Sequence, residues 1–269
     1  MSAHLVQEFP LIRGHGTAVD EFSAETLVLQ MKESGAIILR DFARDQESFI
    51  ALTKRLAPGI ERGVAPGQSG LDFHGEAYYT PWPPDVLWFY CVCPAKIDGQ
   101  TLLCDGIKLV SLMAPESKAF FVDNALVYEM AWAHAVWASY FNTENKETII
   151  DHLKKWPSVM ATFSGNIMYT RYTTWAIRQT KWGGVPAFVN SLLHALDSTR
   201  RAETGEYGLR TQIPSTILSE LRDLTAKLAF WIEWKPGDIV MIDNTRVMHA
   251  RRPFSGRREI IAVNGNALF

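Results

Sequence analysis

Three side chains able to bind a metal stand out by their type and spacing. His74 and Glu76 are separated by a single glycine, and His249 follows much later in the chain. In an extended segment the first two would point to the same side, because strand side chains alternate with a period of two. Two imidazoles and one carboxylate on one face of a metal leave three coordination positions open, as in the facial site of non-haem Fe(II) oxygenases. Many sequences contain this pattern by chance, and a lone buried histidine is usually only a core residue.

A candidate anchor for a chelating co-substrate lies close to His249 in the sequence. A 2-oxo acid that chelates a metal has a remote carboxylate, and arginine holds a carboxylate through its planar, bidentate guanidinium. Arg258 comes nine residues after His249, on the adjoining predicted strand, and Arg257 is the alternative that the sequence leaves open. Thr101 could donate its hydroxyl to the same carboxylate. The neighbouring Arg251 is predicted to be a solvated turn residue.

Short strands bounded by turns are predicted around all of these residues. Apolar runs predict buried strands, and clusters of glycine and proline predict the turns between them. The strand before Thr101 is predicted to reach it through a hairpin turn at 97–100. Asn244 is predicted to cap the turn that precedes the strand of His249. The strands predicted are Ala36–Leu39, Val86–Cys93, Thr101–Cys104, Ile239–Ile242, Val247–His249 and Glu259–Val263, with a polar, glycine-rich loop at 59–72.

Helices are predicted where apolar residues recur with helical spacing. Pro115 is expected to split one of them into two. The helices predicted are Ser23–Glu33 (capped by Ser23 and ended by Gly35), Asp45–Leu56, Leu109–Phe121, Phe188–Leu196 and Ser215–Leu228 (capped by Ser215). Several short strands with evenly spaced turns predict a β-barrel or jelly roll wrapped by these helices.

Residues 125–182 hold an unusual density of aromatic side chains. One interpretation is that these aromatic residues form the rim of the core. The other is that they form the wall of a substrate pocket or a lid over it. Two polar residues of this segment, His134 and Arg171, are candidate substrate contacts, and Trp137 and Tyr169 are two more. Surface or structural roles are the alternative for all four.

The composition narrows the class of protein. Hydrophobic residues make up 47% and charged residues 21% of the 269 residues, which is typical of a globular protein with a full core. A net charge of -2 argues against a nucleic-acid or anionic-membrane binder. No apolar stretch is long enough for a transmembrane helix, and the N-terminus lacks the pattern of a signal peptide. Three cysteines, an odd and low number, favour a reducing compartment, and a cytoplasmic location is predicted.

The order of the motifs resembles a known enzyme family. The patterns HGExxYxPxPPD, GQTxxxDG and WxPGDxxxIDNxRxxHxRxPFxGRR follow one another as in the taurine dioxygenase and clavaminate synthase-like family, over about residues 35–121 and 207–264. The resemblance implies a mainly β fold with helices, in which a double-stranded β-helix (jelly roll) core is flanked by helices and carries a long insertion between core strands. It also implies Fe(II) as the metal, with 2-oxoglutarate and O2 as co-substrates.

The resemblance assigns roles to individual residues. The three metal-binding candidates would be the iron ligands, while Thr101 and Arg258 would contact 2-oxoglutarate. Two positions depart from the family pattern. Residues 98–101 read Asp-Gly-Gln-Thr where many relatives have Gly-Gly-x-Thr, and Ala262 stands where many relatives carry an arginine, so one of their contacts is expected to be missing. Glu76 argues against the halogenases of the superfamily, which lack the carboxylate ligand.

The predicted activity is that of an Fe(II)- and 2-oxoglutarate-dependent dioxygenase built as one domain over residues 1–269, with 125–206 as the insertion that covers the substrate. It would hydroxylate a small molecule, such as an amino acid or a natural-product intermediate, and release succinate and CO2. Desaturation or ring closure would use the same ligands, so the sequence leaves this outcome open. The alternatives are a non-catalytic jelly-roll protein that binds a metal or ligand, and an oxygenase whose substrate is tethered to a carrier. The oligomeric state is also left open.

Overall fold

Most strands form where short apolar runs alternate with turns, and they assemble into two main sheets. The computed structural model describes residues 8–43, 45–63, 67–196 and 207–269. The strands are β1 Leu11–Arg13, β2 Ala36–Arg40, β3 Gly59–Gly63, β4 Leu71–His74, β5 Val86–Cys93, β6 Ile97–Asp98, β7 Thr101–Asp105, β8 Leu126–Trp132, β9 Val159–Ser164, β10 Ile167–Thr174, β11 Ile177–Gln179, β12 Pro186–Phe188, β13 Tyr207–Leu209, β14 Phe230–Ile232, β15 Ile239–Asp243, β16 Val247–Arg251, β17 Phe254–Ser255 and β18 Glu259–Gly265. The helices are α1 Ala24–Ser34, α2 Gln46–Leu56, α3 Gly106–Leu112, α4 Pro115–Asp123, α5 His134–Phe141, α6 Lys146–Leu153, α7 Leu192–Leu196 and α8 Ser215–Leu228, with a 3-10 turn at Val19–Glu21. Within these ranges, no helix is both long enough and apolar enough to cross a membrane.

The larger sheet has the strand order β1-β2-β15-β5-β18-β3. β5 lies between β15 and β18, and its first six residues are buried, as the continuous apolar run of this strand requires. One face of this sheet is covered by α1 and α2, which contribute Leu27, Met31 and Phe49 to a shared apolar cluster. The other face is therefore free to pack on the second sheet.

The smaller sheet has the strand order β14-β7-β16-β4 and carries the residues singled out for chemistry. His249 of β16 lies directly opposite His74 of β4, and Arg251 lies opposite Thr101 of β7. The pairing of β16 with β4 shifts register between His249 and Arg251, which marks a bulge next to the two histidines. Three neighbouring strands thus bring together segments that are far apart in the sequence.

The two sheets pack face to face. Phe89 and Val240 of the larger sheet share an apolar cluster with Leu103 and Val247 of the smaller one. Consecutive strands cross between the sheets: β4, β7 and β16 lie in the smaller sheet, whereas β5, β15 and β18 lie in the larger one. The connections between them therefore bridge the sandwich and do not form simple hairpins.

These crossings correct two predictions. The turn at 97–100 does not join a hairpin, because β5 and β7 lie in different sheets. The strand that contains His249, β16, and the strand that follows Arg258, β18, are not neighbours either, because they also lie in different sheets. An apolar run followed by a turn has the same sequence pattern whether the chain folds back beside itself or crosses to the facing sheet, so the pattern alone could not decide.

Local predictions were mostly confirmed at the helix ends. The Ser23 hydroxyl caps α1 by accepting from the backbone N–H of Thr26 at 3.2 Å. Gly35 ends α1 with a φ of 88°, a value that glycine adopts without strain. Pro115 begins α4, so the helix predicted at Leu109–Phe121 is split as expected.

Three local predictions were wrong. The loop predicted at 59–72 contains β3, whose backbone pairs with β18, although residues 64–66 of this loop lie outside the described ranges. The helix predicted at Phe188–Leu196 is restricted to α7, because Pro186–Phe188 pairs with β11 as a strand. Ser215 does not cap α8; Pro214 holds the N-cap position there, without a side-chain hydrogen bond.

The aromatic segment after α4 builds a sheet of its own, in the order β13-β8-β10-β9. One face is buried, and its Tyr128 and Tyr172 join the cluster that contains Phe73 and Tyr78, the neighbours of the metal-binding candidates. Trp137 is buried in a second cluster formed with residues of α6 and β10. Part of the aromatic segment therefore belongs to the core, as one of the two interpretations predicted. The opposite face of the β13-β8-β10-β9 sheet is exposed.

Candidate metal centre

His74, Glu76 and His249 converge at one end of the smaller sheet. One ligand atom from each lies within 4.8 Å of the other two, the one group of this kind among the described residues. His249 Nε2 and Glu76 Oε2 are 3.9 Å apart, and the ring centres of His74 and His249 are 4.2 Å apart. Two imidazoles and one carboxylate at this spacing fit a single divalent metal, with only small side-chain movements needed to complete the coordination.

Both imidazoles are prepared to act as neutral ligands. His74 Nδ1 lies 2.8 Å from the backbone oxygen of Asp72, a bond that places the proton on Nδ1 and leaves Nε2 for a metal. Burial, together with the nearby His74 and His194, holds the pKa of His249 well below its usual value. A histidine must be unprotonated to bind a metal, so this environment favours the ligand form.

Glu76 does not lie on a strand, which corrects part of the reasoning from alternation. β4 ends at His74, and residues 76–79 form a turn in which Ala77 has a φ of 59°. The period of two therefore does not explain why Glu76 and His74 face the same point. The sequence could not reveal this, because a glycine at position 75 is compatible with both a strand and a turn.

A partly buried arginine bonds to the strand next to that of His249. Arg258 donates from Nε to the backbone oxygen of Gly99 at 3.0 Å and from Nη2 to Thr101 Oγ1 at 3.2 Å. The indole N–H of Trp234 also donates to Thr101 Oγ1, at 3.1 Å. Because the Thr101 oxygen already accepts two hydrogen bonds, its own proton is the group left to donate to a ligand.

The two candidate arginines differ in exposure. Arg257 projects into solvent, with 76% of its side chain exposed, and pairs with Glu259. Arg258 is largely buried, and burial together with the nearby Arg251 lowers its pKa to about 10. No carboxylate within the described ranges lies within 4.0 Å of Arg258. It therefore stays charged at neutral pH, so a bound anion beside it would be favoured.

Two further residues near the site were missed or misjudged. Arg251 is buried, with 5% of its surface exposed, and it donates to the backbone oxygens of Gly67 and Ser69, so its prediction as a solvated residue was wrong. His194 of α7 stacks on His74 at 4.5 Å between ring centres. Neither role follows from periodicity, because both depend on contacts between distant segments.

The four predicted substrate contacts lie apart from the triad. Tyr169 and Arg171 project from the exposed face of the insertion sheet, opposite the buried Tyr172, and line an open groove of about 760 Å³. Arg171 pairs there with Glu129. His134 packs on Trp137, whose indole N–H donates to the backbone oxygen of Asn166. All of these contacts remain inside residues 125–206, and the role of the four residues as substrate contacts stays a prediction.

A group of two histidines and one carboxylate, together with a partly buried arginine bonded to the neighbouring strand, is typical of a non-haem iron oxygenase that uses a 2-oxo acid. Comparison with known proteins agrees with this class. The model of the taurine catabolism dioxygenase TauD, TfdA family matches residues 13–263. The chain therefore belongs to this family, which confirms the family predicted from the motifs.

Individual relatives are distant in sequence. The dapdiamide synthesis protein DdaC of Enterobacter agglomerans is 22% identical over 287 residues, covering 90% of this chain and 86% of the relative. The solved structure of AAD-2 in complex with Mn(II) and N-oxalylglycine matches with a TM-score of 0.62 at 14% identity, covering 98% of this chain and 96% of the other. PvcB, described as an Fe, α-ketoglutarate dependent oxygenase from an isonitrile synthetic pathway, matches with a TM-score of 0.62 at 14% identity, covering 95% and 85%.

These matches establish two points for the chain. Its fold is the mixed α/β fold of these oxygenases, composed mostly of sheets. Its cofactor set is the one predicted, Fe(II) with 2-oxoglutarate and O2 as co-substrates.

Proposed function

We propose that the chain hydroxylates a small molecule in an Fe(II)- and 2-oxoglutarate-dependent reaction. The observation that carries the proposal is the convergence of His74, Glu76 and His249 within 4.8 Å of one another. Two distant segments of the chain supply these groups, and the partly buried Arg258, which has no carboxylate within 4.0 Å in the described residues, bonds to Thr101 on the strand next to that of His249. Chance would seldom assemble such a set. An amino acid or a natural-product intermediate is the proposed class of substrate.

The residues of the chain bind and orient the reactants. The triad would hold the metal through the Nε2 atoms of both histidines and through the Glu76 carboxylate. Arg258 would hold the remote carboxylate of 2-oxoglutarate through its guanidinium, and the Thr101 hydroxyl would donate to the same group. When bound, iron, 2-oxoglutarate and O2 together supply the oxidising chemistry and yield succinate and CO2. The ring centre of Phe89 lies 5.5 Å from that of His249, so this side chain would help to keep water from the metal on the side of the larger sheet.

We further propose how the fold serves this reaction. The two packed sheets would be the halves of a double-stranded β-helix, in keeping with the way consecutive strands cross between them. Residues 125–206 would form the insertion of a single domain and would cover the substrate. A small-molecule substrate and a cytoplasmic location remain our predictions.

The test is a screen for substrate-dependent succinate. Purified protein with Fe(II), 2-oxoglutarate and O2 would be incubated with panels of amino acids and natural-product intermediates, and succinate would be measured. A His249→Ala variant is the matched control, because it keeps the pocket but loses one ligand. Substrate-stimulated succinate in the wild type alone supports the proposal. If the protein binds metal and 2-oxoglutarate but no free molecule stimulates succinate, a carrier-bound panel separates the tethered-substrate alternative from a non-catalytic protein.

A further inference from the structure

The carboxylate ligand lies outside the strand ladder of the smaller sheet. β4 ends at His74, so no neighbouring strand fixes the backbone of Glu76. The next residue, Ala77, has a φ of 59° and turns the chain away. Something other than sheet pairing must therefore hold Glu76 at the metal.

The side chain of Asn244 makes this connection. Its Oδ1 accepts from the backbone N–H of Glu76 at 2.8 Å. Its Nδ2 donates to the backbone oxygen of Glu76 at 3.1 Å and to that of Pro84 at 2.8 Å. The amide orientation is unambiguous, because a backbone N–H requires an acceptor and the two carbonyls require a donor. One side chain thus clamps both polar backbone groups of the carboxylate ligand.

Asn244 is itself held rigidly by the larger sheet. It directly follows β15, which pairs with β2 and β5, and it has no exposed surface. Its backbone N–H donates to the oxygen of Asp85 at 2.9 Å. The position of Glu76 is therefore set by the larger sheet, whereas both histidine ligands belong to the smaller one.

The segment before Glu76 is fixed from the other side. The Gly75 N–H donates to the backbone oxygen of Asn190 at 2.9 Å, and the Ser191 hydroxyl donates to the Gly75 oxygen at 3.0 Å. A Cβ at position 75 would approach Val189 to 2.7 Å, so only glycine fits at this close contact. Asn244 therefore holds both polar backbone groups of Glu76, while Asn190 and Ser191 hold the residue before it.

We propose that Asn244 is a positioning residue that holds Glu76 in the geometry required for metal binding. This inference rests on the proposed function of Glu76 as a ligand and adds a residue that touches neither metal nor substrate. Loss of partners that orient metal ligands typically weakens metal affinity by about 10–100-fold. A loss of that size is the expected result for Asn244 variants.

The experiment measures Co(II) binding to the full chain by the visible absorption of the bound ion, without any turnover. Asn244→Asp keeps the shape of the side chain but replaces its NH2 group, which donates to two carbonyls, with a carboxylate oxygen that those carbonyls repel. Asn244→Ala removes all three hydrogen bonds of the side chain. Each should weaken Co(II) binding by about 10–100-fold and change the shape of the spectrum. Thr245→Ala is the matched control, because it removes bonds to Asp243 and Lys181 in the same turn without touching Glu76. Thermal melting checks that every variant remains folded.

A double-mutant cycle shows whether the effect passes through Glu76. In a Glu76→Ala background, Asn244→Ala should cost nothing further in Co(II) affinity. In a His74→Ala background it should keep its full cost. Equal losses in both backgrounds, or an equal loss with Thr245→Ala, would mean general loosening and would overturn the inference. Unchanged Co(II) affinity in folded Asn244 variants would also overturn it, while failure of the wild-type chain to bind Co(II) would instead refute the proposed function.

Discussion

Replacement of Arg258 separates ligand binding from stability in a way that the structure allows us to estimate. Arg258→Ala removes a cation from a pocket where the remote carboxylate of 2-oxoglutarate would bind. Removing one partner of a buried charge pair costs about 2–5 kcal/mol, so the dissociation constant for 2-oxoglutarate should rise by about 30- to 5,000-fold. Arg258→Lys should recover only part of this, because an ammonium cannot offer two parallel hydrogen bonds.

The stability of the same variant should change little. The pKa of Arg258 is lowered to about 10 by burial and by Arg251, which corresponds to about 3 kcal/mol of unfavourable burial of the charge. Alanine relieves this cost but loses the bonds to Gly99 and Thr101, which contribute about 1.5–3 kcal/mol each when the donor is charged. The two effects largely offset one another, and we expect the unfolding free energy to shift by only about 1–2 kcal/mol.

The assay is titration calorimetry of 2-oxoglutarate into protein loaded with a redox-inactive metal, together with chemical unfolding of the apo protein. Arg257→Ala is the matched control, since that side chain lies in solvent and should leave the affinity unchanged. If Arg257→Ala carries the loss and Arg258→Ala does not, the assignment of the pocket is wrong. If Arg258→Ala unfolds the protein, the balance between burial cost and hydrogen bonding has been misjudged.

Three other outcomes follow from the structure. Alanine at any one of the three metal ligands should abolish turnover and should weaken Co(II) binding without eliminating it at high metal concentration, and full activity in any such variant would contradict the triad. Binding of substrate should raise hydrogen-exchange protection in residues 134–153. Residues 186–196 include Asn190 and Ser191, which bond to Gly75, so they should already be protected before substrate is added. If substrate instead protects only 186–196, α5 and α6 are not the moving part of a lid. Burial raises the pKa of Asp243 from 3.8 to about 6, so the folded state binds a proton more tightly and stability falls as the pH rises through this window. Asp243→Asn should remove this dependence, worth about 3 kcal/mol at most, and an unchanged pH profile of unfolding would refute it.

The sequence predicted residue types and local elements better than it predicted connections. His74, Glu76 and His249 were identified from ligand chemistry, and β5 and β15 from continuous apolar runs, because both signals are local. The crossings between sheets could not be predicted, since a turn does not specify the sheet that the chain enters next.

The supporting contacts of the site were equally out of reach from sequence. Asn244 was predicted to cap a turn, which accounts for its residue type but not for its bonds to a segment far away in the chain. Arg251 was predicted to be solvated because arginine usually is, yet the fold buries it. Both depend on long-range packing, which periodicity and propensity do not encode.

The pairing of β4 with β16 also bears on when the protein becomes able to react. His74 and His249 are cross-strand partners that lie far apart in the sequence, so their contact is a long-range one of the kind that slows folding. A nascent chain that ends before His249 contains only two of the three ligands. In the proposed site, all three ligands would therefore be available to iron only after β16 has been synthesised and has paired with β4.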